Sequence, residues 1–326
     1  MGPRLTATRT LALACVLSCG GDVWAPLPSF VGSDAALPTA GPSDAGVDAS
    51  RAGLIRVATF NVRRYFDTVC DSSACAATDF EALPTEAEFA ARTERLASGI
   101  ARIHPDVIAL EEIENQACLD ALVARLAAKG LAFPVAHLGE TGAPASVDVA
   151  ILSRGALPEV RTHRDLPLTR PDGTPTSFSR ELLEVRTTFG ARRVVMFAAH
   201  FRSKVDDDPG RRVAEANGAR TIVSAVAAEL PGALVLLGGD LNDTPGSVAL
   251  EALEQGGALV RVARDLPAAA QATYFFQGAG VAIDHIHVTA AEARRYVPAS
   301  ARVHLDAVYG YAGSDHGALE ASFFIE

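Results

Sequence analysis

The sequence predicts an α/β (α+β) protein built from two packed, mostly antiparallel or mixed β-sheets with helices outside. Two observations carry that reading. Eight short β-branched runs follow one another after residue 53, and only four amphipathic stretches separate them, too few for a simple doubly wound sheet. Apolar residues make up 49% of the 326-residue chain, enough for a sizeable core and too many for global disorder.

The N-terminus reads as an export signal. Arg4 and Arg9 supply a positive region, and residues 11–18 form an apolar run too short to span a bilayer. Val16-Leu17-Ser18-Cys19 followed by two glycines matches a lipobox, which would place a lipid on Cys19 and tether the chain to a membrane. An ordinary signal peptide cleaved after Ala25 is the competing reading. Either one makes the protein exported, extracellular or held at the cell envelope. Residues 20–52 are rich in Pro, Ala, Gly, Ser and Asp without periodicity and read as a flexible linker. The folded body is expected over 53–326, as a monomer with no further domain.

Strand patterns lie at 54–62, 106–113, 148–152, 182–189, 193–199, 233–237, 282–288 and 319–324. The first helix is predicted over 86–103, where Phe89, Thr93, Leu96, Ile100 and Ile103 share one face. Similar patterns cover 116–128, 208–230 and 247–254. Tyr274, Phe275 and Phe276 read as part of a core strand. In an oxidising compartment Cys70 and Cys75 can close a local disulfide, which leaves Cys118 unpaired and buried. A zinc site at Cys70 and Cys75 lacks a second Cys/His pair at suitable spacing.

Polar residues gather at the ends of the strand runs, where loops project side chains into a shared cleft. In chain order they are Asn61, Glu112, Asp148, Arg180, His200, Asp240 with Asn242, Asp284, and Asp315 with His316. Each alone has a structural explanation as a turn former, a cap or a solvated loop. Together they contain what phosphate-ester hydrolysis needs. Glu112 is a candidate ligand for a hard cation, His316 a base toward water, His200 an acid toward the leaving oxygen, and Asn61, Asn242 and Arg180 donors to phosphoryl oxygens. Asp284 and Asp148 can orient the two histidines. If the extended backbone continues past residue 240, Asp240 and Asn242 point the same way. A net charge of −10 argues against binding through a broad basic face, but not against local contacts to one or two phosphates.

Six blocks in order, TFNVRRYFD (59–67), IALEEIEN (108–115), HFRSK (200–204), LLGGDLND (236–243), IDHIHV (283–288) and SDHG (314–317), resemble the endonuclease/exonuclease/phosphatase superfamily over residues 54–326. Their texture is most similar to bacterial extracellular nucleases. The resemblance implies a four-layer α/β sandwich and a Mg²⁺-dependent phosphodiesterase, with Mn²⁺ or Ca²⁺ as other cations. It implies metal ligation by Glu112, Asn61 and Asp315. His316 becomes the general base, paired with Asp284, and His200 the general acid with Asp148 as partner. Asp240 and Asn242 hold phosphate or nucleophile, and Arg180, in a segment SFSRE (177–181) similar to a deoxyribonuclease one, contacts phosphate. Glu111 departs from the usual glutamine and is expected to add negative charge near the metal.

The substrate implied is nucleic acid, DNA and also RNA, tracked by a local strip of Arg63, Arg64, Arg202, Lys204, Arg211 and Arg212. The bland reading of that strip is solvated charge. One alternative keeps the chemistry and changes the substrate to a lipid or small-molecule phosphoester, as in sphingomyelinases or inositol phosphatases. Aromatics are only 6% of the chain, which gives no evident membrane-docking loop. A non-catalytic binding protein on the same fold would have lost a ligand or a histidine, and none is missing.

Overall fold

A computed structural model of the protein describes residues 53–306 and 310–326; the signal sequence, Cys19 and the 20–52 linker lie outside the described residues. The elements in chain order are β1 (Leu54–Tyr65), α1 (Glu86–Ile103), β2 (Val107–Ile113), α2 (Gln116–Ala128), β3 (Val135–Gly139), β4 (Asp148–Ser153), β5 (Ala156–Arg161) and β6 (Leu168–Thr169). They continue as β7 (Pro175–Thr176), β8 (Leu183–Phe189), β9 (Arg192–His200), α3 (Pro209–Glu229), β10 (Leu234–Asp240), α4 (Val248–Glu254) and β11 (Leu259–Arg261). The chain ends with β12 (Tyr274–Phe276), β13 (Ala279–Val281), β14 (Asp284–Thr289), β15 (Arg302–His304) and β16 (Ala318–Phe324), with short 3₁₀ turns between.

Two six-stranded mixed sheets form the centre. Their orders are β15-β16-β1-β2-β4-β3 and β11-β14-β10-β9-β8-β5. Each middle strand is apolar on both faces because one face meets the other sheet and the other meets helices. Ile55, Val57, Val107 and Ile151 of the first sheet pack against Val185, Met196, Leu236 and Ile286 of the second. On the outer face of the first sheet, Phe60, Ile108 and Leu110 meet Leu96, Ile100 and Ile103 of α1 and Leu119 and Leu122 of α2. Beyond the second sheet, Phe197, Val235 and Leu237 meet Ala219 and Val223 of α3 and Leu250 and Leu253 of α4. The result is helix, sheet, sheet, helix: the four-layer sandwich.

The helices start where local chemistry satisfies their free N–H groups. Thr85 and Glu88 form a reciprocal capping box at α1, and Asn115, Asp208 and Ser247 cap the other three. Cys70 and Cys75 are disulfide-bonded, and Cys118 is free and buried, as the spacing suggested.

Three features differ from the sequence reading. The outer strands β3, β5, β11 and β15 of the two sheets were not predicted; every residue of β5 is exposed, so no alternation marks it, and β11 and β15 are only three residues long. Tyr274–Phe276 does not run through the core. It forms one arm of a two-stranded hairpin with β13, and Phe276 is 59% exposed. Asn242 has φ 53, so the extended backbone ends at Asp240 and the two side chains do not simply alternate.

Gly239 allows the close contact between β9 and β10 at the site. A Cβ placed there would lie 1.8 Å from the Ala199 carbonyl oxygen. We predict that Gly239→Ala lowers unfolding free energy in urea by about 3 kcal/mol or more, since backbone rather than a side chain must move.

Candidate active site

Both sheets deliver their polar residues to one edge. That edge holds the C-terminal ends of the parallel strands β1, β2, β9 and β10 and the N-terminal starts of their antiparallel neighbours β4, β14 and β16. In the second sheet Asp240 is directly paired with His200 on one side and Asp284 on the other, so three site residues form a row. Gly238, two residues earlier on the same face, lies against Thr59, which aims that face at the first sheet.

Asn61 crosses the gap. Its Nδ2 donates to Glu112 Oε1 and to Asp240 Oδ2, at 3.1 Å each. Glu112 sits at a break in the β2 ladder with φ 66, and its Oε2 accepts the Arg64 N–H at 2.7 Å. Such left-handed geometry in a glutamate is uncommon and recurs where function requires it.

The loop before β16 is folded onto the same point. Ser314 Oγ donates to the Asn61 carbonyl at 2.7 Å and accepts from the His316 N–H at 3.1 Å. His316 Nδ1 faces both oxygens of Asp284, at 3.1 and 2.9 Å, which leaves Nε2 3.9 Å from Asp240 Oδ2. Burial alone would push the His316 imidazole down, but Asp284 outweighs it and, with Asp240, raises the group to about 10. Asp240 is pushed up to about 7, first by burial and then by Asp284. His316 and Asp240 therefore hold protons as a pair.

His200 behaves oppositely. Burial, then the Arg180 charge, holds its imidazole well below the usual histidine range, so it is neutral. Its Nε2 is 3.7 Å from Asp240 Oδ2, and the Val147 backbone is its other polar neighbour. Asp148 does not pair with it. That carboxylate instead accepts from Ser146 Oγ and the Thr141 N–H, and its other oxygen is unpartnered. Glu111 also departs from expectation. It is fully buried, accepts from Thr59 Oγ1 at 2.9 Å, and is driven well above the carboxylate range by burial and then by Asp284. Its burial therefore works against the negative charge expected of it beside the site.

The basic residues divide. Arg180 is largely buried near Glu112, Glu215 and Asp240, with burial lowering its affinity for a proton. Arg63 pairs with Asp315, and Arg64 lies over the Phe80 ring. Arg212 is consumed by Asp243, Asp207 and the Arg202 carbonyl, and Arg211 by the carbonyls of Ser177 and Phe178. Lys204 is paired with Asp243, and Arg202 turns back to the Asp206 carbonyl. Most of the expected strip therefore holds loops in place. Asn242 is similarly occupied: its Nδ2 donates to the Phe201 carbonyl and its N–H to Asp240 Oδ1.

The donor set fits a hard divalent cation. Glu112 presents carboxylate oxygens at the junction and one Asp315 oxygen is buried without a partner, whereas Asn61 turns its Nδ2 there and its Oδ1 accepts the Arg63 N–H at 2.9 Å. Asp240, Asp284 and His316 also offer atoms within 4.8 Å of one another.

Sequence reasoning missed the residues that hold this arrangement. Arg92 on α1 donates to the carbonyls of Val62, Arg63 and Gly313, tying the first motif to the last. Thr273 Oγ1 accepts the N–H groups of Ile283 and Asp284, and its carbonyl accepts from Gly317. The Tyr274 ring lies 5.0 Å from the His316 ring, tilted 42° to it. Buried Glu215 receives the N–H groups of Ser179 and Arg202. The one legible signal was Glu215, an acid among alanines on the buried face of α3.

Comparison with known proteins agrees with this geometry. No curated protein matches the chain. Among solved structures, the human Nocturnin catalytic domain with bound sulfate is similar with a TM-score of 0.60 and 17% identity, over 84% of this chain and 95% of that one. Truncated Caenorhabditis elegans TDP2 gives 0.57 and 17%, over 84% and 98%. D. rerio TDP2 complexed with single strand DNA product gives 0.55 and 16%, over 83% and 98%. The sequence profile described as Endonuclease/Exonuclease/phosphatase family matches residues 56–304, and the chain belongs to that family of phosphoester hydrolases.

Proposed function

We propose that the protein is an exported, divalent-metal-dependent phosphodiesterase that hydrolyses nucleic acid, with Mg²⁺ as its working cation. The observation that carries this reading is the Asn61 bridge, which brings the Glu112 carboxylate and the His316–Asp284–Asp240 group to one point. A bound cation would supply charge neutralisation for the phosphate, held by Glu112 with Asp315 as a further carboxylate, while Asn61 orients Glu112 through its Nδ2.

The chain's own residues provide the remaining functions. Asp240, pushed up to about 7, is the member of the His316–Asp240 pair that accepts the proton of the attacking water, with the charged His316 beside it and Asp284 fixing the imidazole through Nδ1. Neutral His200 and cationic Arg180 suit hydrogen bonding to phosphoryl oxygens, and the low affinity of His200 for a proton argues against its service as the acid. A DNA substrate is supported by likeness to a TDP2 solved with a single-strand DNA product. The N-terminal signal pattern supports export.

The test incubates purified protein with supercoiled plasmid, linear duplex, RNA and a phosphomonoester, with Mg²⁺ or with chelator. Chelator-sensitive nicking is expected, and Glu112→Gln and His316→Ala should each reduce kcat/KM by about 10²–10⁴-fold while the far-ultraviolet spectrum is unchanged. Turnover of the monoester with intact plasmid and RNA would overturn the nuclease reading. A second prediction concerns metal-free stability. Because His316 is raised from 6.5 to about 10, its contribution is full below pH 6.5 and is lost as pH rises through about 10. In chelator, unfolding free energy should therefore fall between those values, and His316→Gln should flatten that slope; equal slopes would contradict the assignment.

A further inference from the structure

A second acidic cluster lies behind the first motif, on residues that the hydrolytic site does not use. Asp71, Glu81 and Glu114 each offer a carboxylate oxygen within 4.8 Å of the others, and Asp67 lies equally close to Glu114. These four acids come from three parts of the chain: the exit of β1, the loop containing the Cys70–Cys75 disulfide, and the exit of β2. No lysine or arginine is paired with any of them among the described residues.

Glu114 is the decisive member. It is 2% exposed, its Oε2 accepts the Asp67 N–H at 2.7 Å, and its Oε1 is buried with no hydrogen-bond partner. A buried carboxylate oxygen facing other carboxylates, with neither donor nor counter-charge, is costly unless an ion completes it. The surrounding acids are already held in position. Glu81 receives the N–H groups of Asp71 and Ser72 at 2.5 and 2.7 Å. Asp67 receives the Val69 N–H at 2.7 Å and Asn115 Nδ2 at 3.0 Å. Each of those oxygens keeps a second lone pair.

We infer that Asp67, Asp71, Glu81 and Glu114 bind a structural Ca²⁺ ion that fastens the disulfide loop to the ends of β1 and β2. The mutual spacing of Asp71, Glu81 and Glu114 matches oxygens on opposite sides of one ion at about 2.3–2.6 Å each, with Asp67 joining through its closeness to Glu114. Ligand chemistry selects the cation. The disulfide removes two of the three nearby thiols, so the donors are hard carboxylate oxygens, which disfavours zinc. Irregular loop ligands suit the adaptable coordination of Ca²⁺ better than the strict octahedron of Mg²⁺.

The test separates this site from the hydrolytic one. The full chain carrying Glu112→Gln is stripped with chelator and titrated with CaCl₂, by calorimetry and by thermal melting, with MgCl₂ run in parallel. One Ca²⁺ should bind despite the loss of Glu112, and Tm should rise by several degrees at about a hundred times Kd. Adding Asp71→Asn, an exposed position that should not impair folding, or Glu114→Gln should weaken Ca²⁺ binding by about tenfold or more and remove the Tm rise. The inference is overturned if the Glu112→Gln chain binds no Ca²⁺, if MgCl₂ raises Tm as much as CaCl₂ does, or if Asp71→Asn binds Ca²⁺ as tightly as its parent.

Discussion

One amide joins the two halves of the molecule where chemistry can occur. Asn61 sits at the end of β1 in the first sheet, and its Nδ2 reaches Glu112 beside it and Asp240 across the gap. Being wholly buried, it cannot trade those bonds for water. The position of each carboxylate therefore depends on how the two sheets pack. Every core contact that fixes one sheet against the other also fixes the Glu112-to-Asp240 geometry. This is how apolar packing far from the edge contributes to function.

The same edge concentrates like charge. Asp240 and Asp284 are paired across one ladder, with Glu111 behind them and Glu112 beyond Asn61. The fold tolerates this through protonation and local partners. Burial favours the protonated form of Glu111, Asp284 is matched by His316, and Asp240 is poised near neutrality. Burial, helped by cationic Arg180, keeps His200 neutral rather than adding another proton to the site. Such a cluster is the kind of electrostatic strain that a divalent cation relieves.

Much of this was legible in sequence because it depends on periodicity and on residues at strand ends. The helix at 86–103 is marked by an apolar face, which the structure retains and to which it adds a capping box at Thr85. Glu112, Asp240, Asp284 and His316 follow apolar runs or immediately precede them, so their convergence follows from strand order. Less legible were features without a one-dimensional pattern. Strand β5 is exposed along its length, and the Tyr274–Phe276 hairpin is only half covered, so neither alternates in hydropathy. Ion pairing also carries no sequence signature. Arg211 and Arg212 read as a basic strip, yet their guanidiniums are spent on backbone carbonyls and aspartates. Nor does spacing reveal that Asn242 turns left-handed or that Ser146, not His200, takes Asp148.

The central claim is that the Asn61 junction holds a catalytic divalent cation. Crystals grown with Mn²⁺ and measured at its absorption edge test it directly. An anomalous peak coordinated by Glu112, and absent in Glu112→Gln, is the predicted result. A structure in which Glu112 and Asn61 remain bonded as here, with no anomalous density beside them, would contradict it.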